Sequence, residues 1–324
     1  MKLVGNEQNV QLLRQQAQRG HLGHGYVIHG QPGSGTRTMA RSLAQLCLCE
    51  GTVPPCGTCR HCIKMQKGIH PDLQVIAPAE GKASISVEQM KTLRQDLYVA
   101  PNEAARKVYI IEDAHKMTLE AQNALLKSLE EPPEYVTMIL CTPARDLLLP
   151  VILSRTSHIA MAPVPPSQMM EVLHLRCPDR SREELQRAAS LSDGAMGRAL
   201  YVLRHPEYLM AVDRCLDWLK AVAARDRVGA AVFVQWLEKQ KGGMDEVFPV
   251  LRQLLGDLMR CKQGCSINLV HKQKEITDLC AEVTLPALIR IYEHVDKAQR
   301  SLAGNANFAL TVNVLAQDCW EEIR

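Results

Sequence analysis

Short apolar runs rich in β-branched residues recur through the first half of the chain. Such runs are typical of strands that are buried on both faces of a parallel sheet. The stretches between them carry apolar residues at helical spacing, so this half predicts an α/β fold, a doubly wound parallel sheet with flanking helices. The predicted strands are 26–29, 73–76, 108–111, 136–141 and 159–161, and the predicted helices are 6–19, 39–49, 86–98 and 118–131.

The second half of the chain shows helical spacing without a convincing strand pattern. Three prolines, Pro163, Pro165 and Pro166, separate the halves, so the first domain is predicted to end near Ala162. The remainder is predicted to be all-helical. The predicted helices are 167–175, 181–190, 196–203, 208–224, 228–239, 245–261, 276–283, 285–300 and 308–322, with a loop at Gly242-Gly243.

Composition narrows the class of protein. The chain has 324 residues, 46% hydrophobic and 23% charged, which is ordinary for a globular protein with more than one domain. A formal charge of +3 is too small to indicate nucleic-acid binding by itself, and three Phe and three Trp leave little material for base stacking. The N-terminus lacks the apolar region of a signal peptide, and no apolar run approaches membrane-spanning length. These features predict a soluble cytoplasmic protein without a membrane partner.

A glycine-rich turn follows the first predicted strand and precedes a helix, which is the context of a Walker A loop. The spacing Gly30-x4-Gly35 fits that motif. Thr36, however, stands where a lysine reaches the phosphates, and Arg37, which has only donors, stands where a hydroxyl binds Mg²⁺. Two interpretations remain: a glycine turn without catalysis, or nucleotide binding without hydrolysis. The candidate residues are Gly30, Gly33, Gly35, Thr36, Arg37 and Thr38.

The strand 108–111 ends in two adjacent acids, Glu112 and Asp113. Carboxylates at the C-terminal end of a buried parallel strand lie at the edge where α/β folds bind ligands. In a P-loop fold, acids at this place hold Mg²⁺. Both acids therefore complete the candidate nucleotide site.

Five of the twelve cysteines fall between Cys47 and Cys62. In a chain without secretory features, such clustering indicates a metal site more than disulfides. The spacing Cys47-x8-Cys56-x2-Cys59-x2-Cys62 predicts a closed Cys₄ site and hence a structural zinc. Cys49 is close enough to Cys47 to be the first ligand instead. Free cysteines in a reducing compartment are the alternative.

Two histidines near this cluster could also carry chemistry. His61 lies within the cysteine spacing and is a spare metal ligand. His70 stands before Pro71, a context more typical of a turn residue than of a ligand or base.

The glycine turn, the cysteine insert and several short phrases together resemble the clamp-loader branch of the AAA+ proteins. The insert is similar to the zinc module of bacterial clamp loaders. The resemblance covers about residues 1–205 well and extends to the rest only in helical character. The phrases are Gly68-Ile-His-Pro-Asp, Lys107-Val-Tyr-Ile-Ile, His115-Lys-Met-Thr, Ala124-Leu-Leu-Lys-Ser-Leu-Glu-Glu-Pro-Pro and Ile152-Leu-Ser-Arg.

The resemblance implies a RecA-like AAA+ domain over 1–162 with its zinc module at about 47–62, a small helical lid over 163–206 and a helical collar over 207–324. It implies assembly with delta and tau/gamma subunits into a hetero-pentamer that places a sliding clamp on primed DNA. ATP and Mg²⁺ would be bound in the neighbouring subunit. Within the branch, the degenerate P-loop points to a stator that does not hydrolyse ATP.

The resemblance also assigns site residues. Arg155, preceded by Ser154, becomes an arginine finger supplied to the neighbour's ATP, with Thr156 where the family often has Cys. A strand-edge arginine in a local salt bridge is the alternative interpretation.

Other family sites look degraded. Active members have Asp before Glu at the strand end, the reverse of Glu112 and Asp113. The lid arginine that senses phosphate falls at Gly197, with Arg198 one residue on, and the strand-end sensor falls at Thr142-Pro143. This pattern favours an activator of ATP hydrolysis over an ATPase.

Two other functions are compatible with parts of this sequence. One is an active ATPase of the tau/gamma type, which the chemistry of Thr36 and Arg37 disfavours. The other is a zinc-dependent DNA-binding module, which a closed Cys₄ site without a basic stripe disfavours.

Overall fold

The computed structural model describes residues 3–205, 207–239, 244–303 and 306–322, and the predicted Gly242-Gly243 loop lies outside these ranges. The chain divides into two compact units. One comprises Met1–Met169 with Ala195–Gly197, and the other Met170–Gly194 with Arg198–Arg324. The predicted division into AAA+ domain, lid and collar stays a prediction.

The first unit is built on a five-stranded sheet in which all paired strands are parallel. The strand order is β2-β3-β4-β1-β5, so the chain crosses over repeatedly and helices connect the strands. This confirms the predicted parallel α/β sheet. The strands are β1 Gly25–His29, β2 Leu73–Ile76, β3 Lys107–Ile111, β4 Val136–Thr142 and β5 Ser157–Ala160.

Every residue of β3 and β4 is buried, as the continuous apolar runs predict. Successive side chains of a strand point to opposite faces, so Val108 and Ile110 join one apolar layer while Tyr109 and Ile111 join the other. Burial of each such aliphatic side chain contributes roughly 1.5–3 kcal/mol before entropy is counted. The two layers hold the carboxyl ends of these strands in place.

Helices cover both faces of the sheet, and three of them differ from the predicted helices. Helix α2 begins at Thr36 rather than 39, because Gly35 takes φ 97°, a left-handed conformation that glycine adopts without strain, and caps it. Helix α3, which occupies part of the cysteine insert, and the short helix α6 are not among the predicted helices. The helices are α1 Glu7–Gln18, α2 Thr36–Leu48, α3 Arg60–Lys67, α4 Val87–Leu97, α5 Leu119–Glu130 and α6 Pro150–Leu153.

In the part of the second unit that the structure describes, every regular element is helical, as predicted. Its core is one apolar cluster that includes Trp218, Leu254 and Val295. Helix α7 begins within the first unit and α9 spans both. The helices are α7 Pro166–Arg176, α8 Arg182–Leu191, α9 Met196–Arg204, α10 Glu207–Ala223, α11 Arg227–Lys239, α12 Met244–Lys262, α13 Gln273–Glu282, α14 Leu285–Ala303 and α15 Phe308–Glu321.

A buried carboxylate, Asp72, binds the backbone of residues 102–104, the segment that precedes β3. Its side chain is fully buried and accepts backbone N–H bonds from Asn102 at 2.5 Å, Glu103 at 2.9 Å and Ala104 at 2.8 Å. Burial acts to raise the pKa of this carboxyl, but the hydrogen bonds to Ala104, Asn102 and Glu103 outweigh it and lower the pKa. The folded protein therefore stabilises the charged form of the Asp72 carboxyl.

We expect Asp72→Asn to lower the free energy of unfolding by about 1.5–3 kcal/mol, because the bonds to a charged acceptor are lost. A lowered folded-state pKa means that this stabilisation is present above about pH 4 and is lost as pH falls through the folded-state pKa. Denaturant unfolding of the variant should thus lose part of the acid dependence of the wild type. The exposed Asp146→Asn is the control; equal stability of wild type and Asp72→Asn at pH 7 would contradict the assignment.

Candidate functional site

The glycine turn lies between β1 and α2, at the carboxyl edge of the sheet. Gly30, Gly33 and Gly35 form the turn, and Thr36, Arg37 and Thr38 form the first turn of α2. The Gly30 N–H donates to the carbonyl of Thr142 at the end of β4, at 3.3 Å. The structure thus places the candidate loop where the sequence predicts it.

Arg37 reaches across this edge to both acids that follow β3. Its Nε lies 3.2 Å from Glu112 Oε2, and its Nη2 lies 2.9 Å from Asp113 Oδ2. Arg41 adds a longer contact to Glu112, at 3.7 Å, and Lys116 lies 3.3 Å from Asp113. The acids are therefore neutralised by side chains of the chain itself.

The pKa of Asp113 reflects these contacts with cationic side chains. Burial acts to raise the pKa of Asp113, but the charges of Arg37 and Lys116 outweigh it and the pKa is lowered. Asp113 also has φ 52°, a left-handed conformation that Asp tolerates better than most residues. Three cations thus face two carboxylates, and the donor set does not fit Mg²⁺.

The two predicted sensor positions, Gly197 and Thr142, also make contacts within the chain. The Gly197 N–H donates to the carbonyl of Gly33 at 2.8 Å, and a Cβ on Gly197 would lie 2.9 Å from that oxygen. Only glycine fits so close an approach. Arg198 hydrogen-bonds the Tyr208 hydroxyl through Nε at 3.1 Å, and the Thr142 hydroxyl donates to the Ala144 carbonyl at 2.8 Å.

Four cysteine sulfurs converge in the insert after α2. They belong to Cys49, Cys56, Cys59 and Cys62, and all lie within 4.8 Å of one another. The sulfurs of Cys56 and Cys62 are 4.0 Å apart, close to the roughly 3.8 Å separation in a tetrahedral site with Zn–S bonds of about 2.3 Å. This cluster can hold a metal ion.

Cys47 is not part of the cluster, so the prediction of Cys47 as the first ligand is corrected to Cys49. Cys47 lies within α2 and packs in the core between that helix and the sheet, where burial raises the pKa of its thiol to about 11. Met39 and Leu43 share its face of α2, since residues four apart lie above one another. That spacing was the sequence signal for a core residue. Cys49 comes after the helix and is free to turn outward.

Backbone N–H groups point at the cluster sulfurs. The Cys59 N–H donates to Cys56 Sγ at 3.3 Å and the Cys62 N–H donates to Cys59 Sγ at 3.4 Å. Such bonds favour the thiolate, and donors from Thr58 and Cys59 lower the pKa of Cys56 to about 6. Burial, in contrast, raises the pKa values of the Cys49 and Cys62 thiols. Because metal binds the thiolate, an ion at this cluster would displace protons from those two sulfurs.

The two histidines form a buried pair beside the cluster and neither belongs to it. His61 Nδ1 lies 2.8 Å from His70 Nε2, while His70 Nδ1 accepts the Asp72 N–H at 3.1 Å. Neutral His70 must therefore carry its proton on Nε2, and this N–H donates a hydrogen bond to His61 Nδ1. The pair links the cysteine insert to Asp72, a structural role that sequence reasoning missed.

Arg155 follows α6 and is held by three contacts. Its Nη2 lies 2.8 Å from Glu130 Oε1, and its Nη1 donates to the Val151 carbonyl at 3.2 Å and to Ser154 Oγ at 3.3 Å. The side chain is 35% exposed. Sequence reasoning singled out Arg155 and Ser154 but missed Glu130, whose only signal was its place at the end of a predicted helix.

The sequence is similar to proteins of known families. A family model described as "DNA polymerase III, delta subunit" matches residues 5–165. DNA polymerase III subunit delta' of Bacillus subtilis is 30% identical over 306 residues, which is 92% of this chain and 91% of that protein. The chain belongs to the DNA polymerase III delta-prime family. This confirms the predicted clamp-loader resemblance.

Other relatives differ in how much of this chain they match. The delta' subunit of Escherichia coli is 29% identical over 83% of this chain and 90% of its own length. A gamma/tau subunit of Mycobacterium tuberculosis is 32% identical, but over only 54% of this chain and 31% of its own length. Sequence similarity to these two delta' subunits therefore extends over more of this chain than similarity to this gamma/tau subunit does.

Among solved structures, a gamma-subunit-related protein of DNA polymerase III from Thermotoga maritima matches 97% of this chain and 99% of its own, at 19% identity and a TM-score of 0.40. The RuvB branch migration motor of Thermotoga maritima matches 86% of this chain and 87% of its own, at 16% identity and a TM-score of 0.44.

Within the described ranges, no helix is both long and apolar enough to span a bilayer.

Proposed function

We propose that this chain is a clamp-loader stator: a subunit that does not hydrolyse ATP and supplies Arg155 to the ATP site of a neighbouring subunit. The neighbour is of the tau/gamma type, and a delta subunit completes a hetero-pentamer that loads a sliding clamp on primed DNA. Similarity over most of the chain to the delta' subunits of Bacillus subtilis and Escherichia coli supports this assignment.

The observation that carries the proposal is the Arg37 cluster. Arg37 occupies the motif position of the hydroxyl that binds Mg²⁺, and its guanidinium contacts both acids that would hold the ion. A guanidinium has no lone pair to give to a metal, and it cannot be deprotonated at neutral pH. The chain's own loop thus has neither the phosphate lysine nor the metal ligands of a working site.

Arg155 supports the other half of the proposal. It is partly exposed, and it lies on a segment separate from the inactivated loop. A guanidinium presented to a neighbour's ATP offsets the negative charge that spreads over the transferred phosphoryl oxygens in the transition state. The chemistry that this protein serves then takes place at its neighbour's nucleotide.

We propose zinc as the ion of the cysteine cluster. Four thiolates form a closed tetrahedral set, which leaves no open position for substrate, so the role is structural. Helix α3 is eight residues long, and Cys59 is its N-cap. A helix this short is marginal by itself, and ligands at its first turn would hold it in place.

The proposal is tested first on the purified chain. We expect no ATP turnover above background, and we expect the double substitution Thr36→Lys, Arg37→Thr to strengthen Mg-ATP binding about tenfold or more, because it restores the lysine and hydroxyl and releases both acids. A fluorescent-nucleotide titration measures binding. Turnover by the wild-type chain that Glu112→Gln and Asp113→Asn abolish would contradict the proposal and identify an ATPase.

A further inference from the structure

Glu130 lies where helix electrostatics disfavour an acid. It is the last residue of α5 and is followed by Glu131 and two prolines. The C-terminal end of a helix carries partial negative charge and prefers cations. A carboxylate at this position gains from a cation contributed by another element, and Arg155 supplies it.

The guanidinium of Arg155 is oriented from two sides. Glu130 holds Nη2 at 2.8 Å. On the other nitrogen, Nη1 donates to Ser154 Oγ and to the Val151 carbonyl, and the Ser154 hydroxyl donates to that same carbonyl at 3.0 Å. These three contacts use three of the five N–H groups of the guanidinium. Within the part of the chain that the structure describes, two N–H groups therefore stay available for an oxyanion presented by another subunit.

The ion pair contributes little to the fold. The Arg155 and Glu130 side chains are 35% and 44% exposed, and pairs in such positions are screened by water and add little to stability. What the pair does change is freedom of rotation, because an arginine side chain has several rotatable bonds and a free one samples many rotamers. A fixed guanidinium plane needs less reorganisation when a phosphate arrives.

We propose that Glu130 is a positioning residue for the finger. It holds the Arg155 guanidinium in one orientation, so that the two remaining N–H groups meet the phosphate oxygens of the neighbour's ATP. This inference rests on the proposed function of Arg155. Glu130 acts through its ion pair with Arg155 and takes no part in the reaction.

The test uses the reconstituted clamp loader with Glu130→Gln, which removes the charge at nearly constant volume. We expect kcat for ATP hydrolysis at the adjoining site to fall about tenfold with KM unchanged, since misorientation acts on the transition state more than on ground-state binding. The steady-state rate at saturating ATP gives kcat, and the phosphate-release burst reports the chemical step itself. Glu131→Gln, the next residue along, is the matched control and should behave as wild type.

Two further variants separate positioning from a structural role. Glu130→Asp should recover part of the lost rate, and Glu130→Gln combined with Arg155→Ala should be no slower than Arg155→Ala alone. Unchanged or faster hydrolysis by Glu130→Gln, beside a large loss for Arg155→Ala, would overturn the role of Glu130 and leave the finger intact. No loss for Arg155→Ala would overturn both proposals.

Discussion

Replacing Arg155 with alanine is expected to slow ATP hydrolysis at the adjoining subunit's site by about 10³–10⁵-fold. The reason is electrostatic: the developing charge on the phosphoryl oxygens loses its in-trans cation, and water cannot replace a preorganised guanidinium. In the reconstituted complex, one fast phase of phosphate release should disappear and clamp loading on primed DNA should fail. Arg155→Lys should retain part of the rate, because it keeps the charge and loses the planar fork.

The control is Arg94→Ala, which removes an exposed arginine on α4. Both alanine variants should melt close to the wild type, because Arg155 contributes only a partly exposed ion pair to the fold. Normal loading and a normal burst with Arg155→Ala would show that Arg155 serves only as a local salt-bridge partner.

Substitution of Cys49 is expected to cost the protein its metal. Structural zinc in a four-thiolate site binds with roughly 10–16 kcal/mol in small zinc domains at pH 7, so loss of one ligand is a large effect. Elemental analysis should find one zinc per chain in the wild type and little in Cys49→Ala. Chelation of the wild type should expose the 49–62 segment to protease.

Cys47→Ala is the matched control, because the two cysteines are two residues apart and only Cys49 points into the cluster. This variant should keep a full equivalent of zinc while losing some stability, since it leaves a small cavity in the core. The reverse result, zinc lost with Cys47→Ala and kept with Cys49→Ala, would refute the ligand assignment. A wild-type chain that folds without metal would refute the zinc proposal.

Much of the first unit could be predicted because local pattern and burial agree there. The runs 108–111 and 136–141 are apolar without alternation, and a strand buried on both faces needs that composition. The glycine turn was also predictable, because its spacing and its strand-turn-helix context are local. Helix α3 was missed because the Pro/Gly-rich composition of the insert hid an eight-residue helix, which Cys59 caps.

In the candidate site, too, some features follow from the sequence and others only from the tertiary structure. The amino-acid sequence alone determined which chemistry is missing, because residue types at motif positions decide whether a lysine or hydroxyl is present at Thr36 and Arg37. It also determined that cysteines cluster near one segment. Tertiary structure decided which groups meet: Arg37 with Glu112 and Asp113, and Glu130 with Arg155. These partners lie far apart along the chain, and only the packing of helices on the sheet brings them within hydrogen-bonding distance.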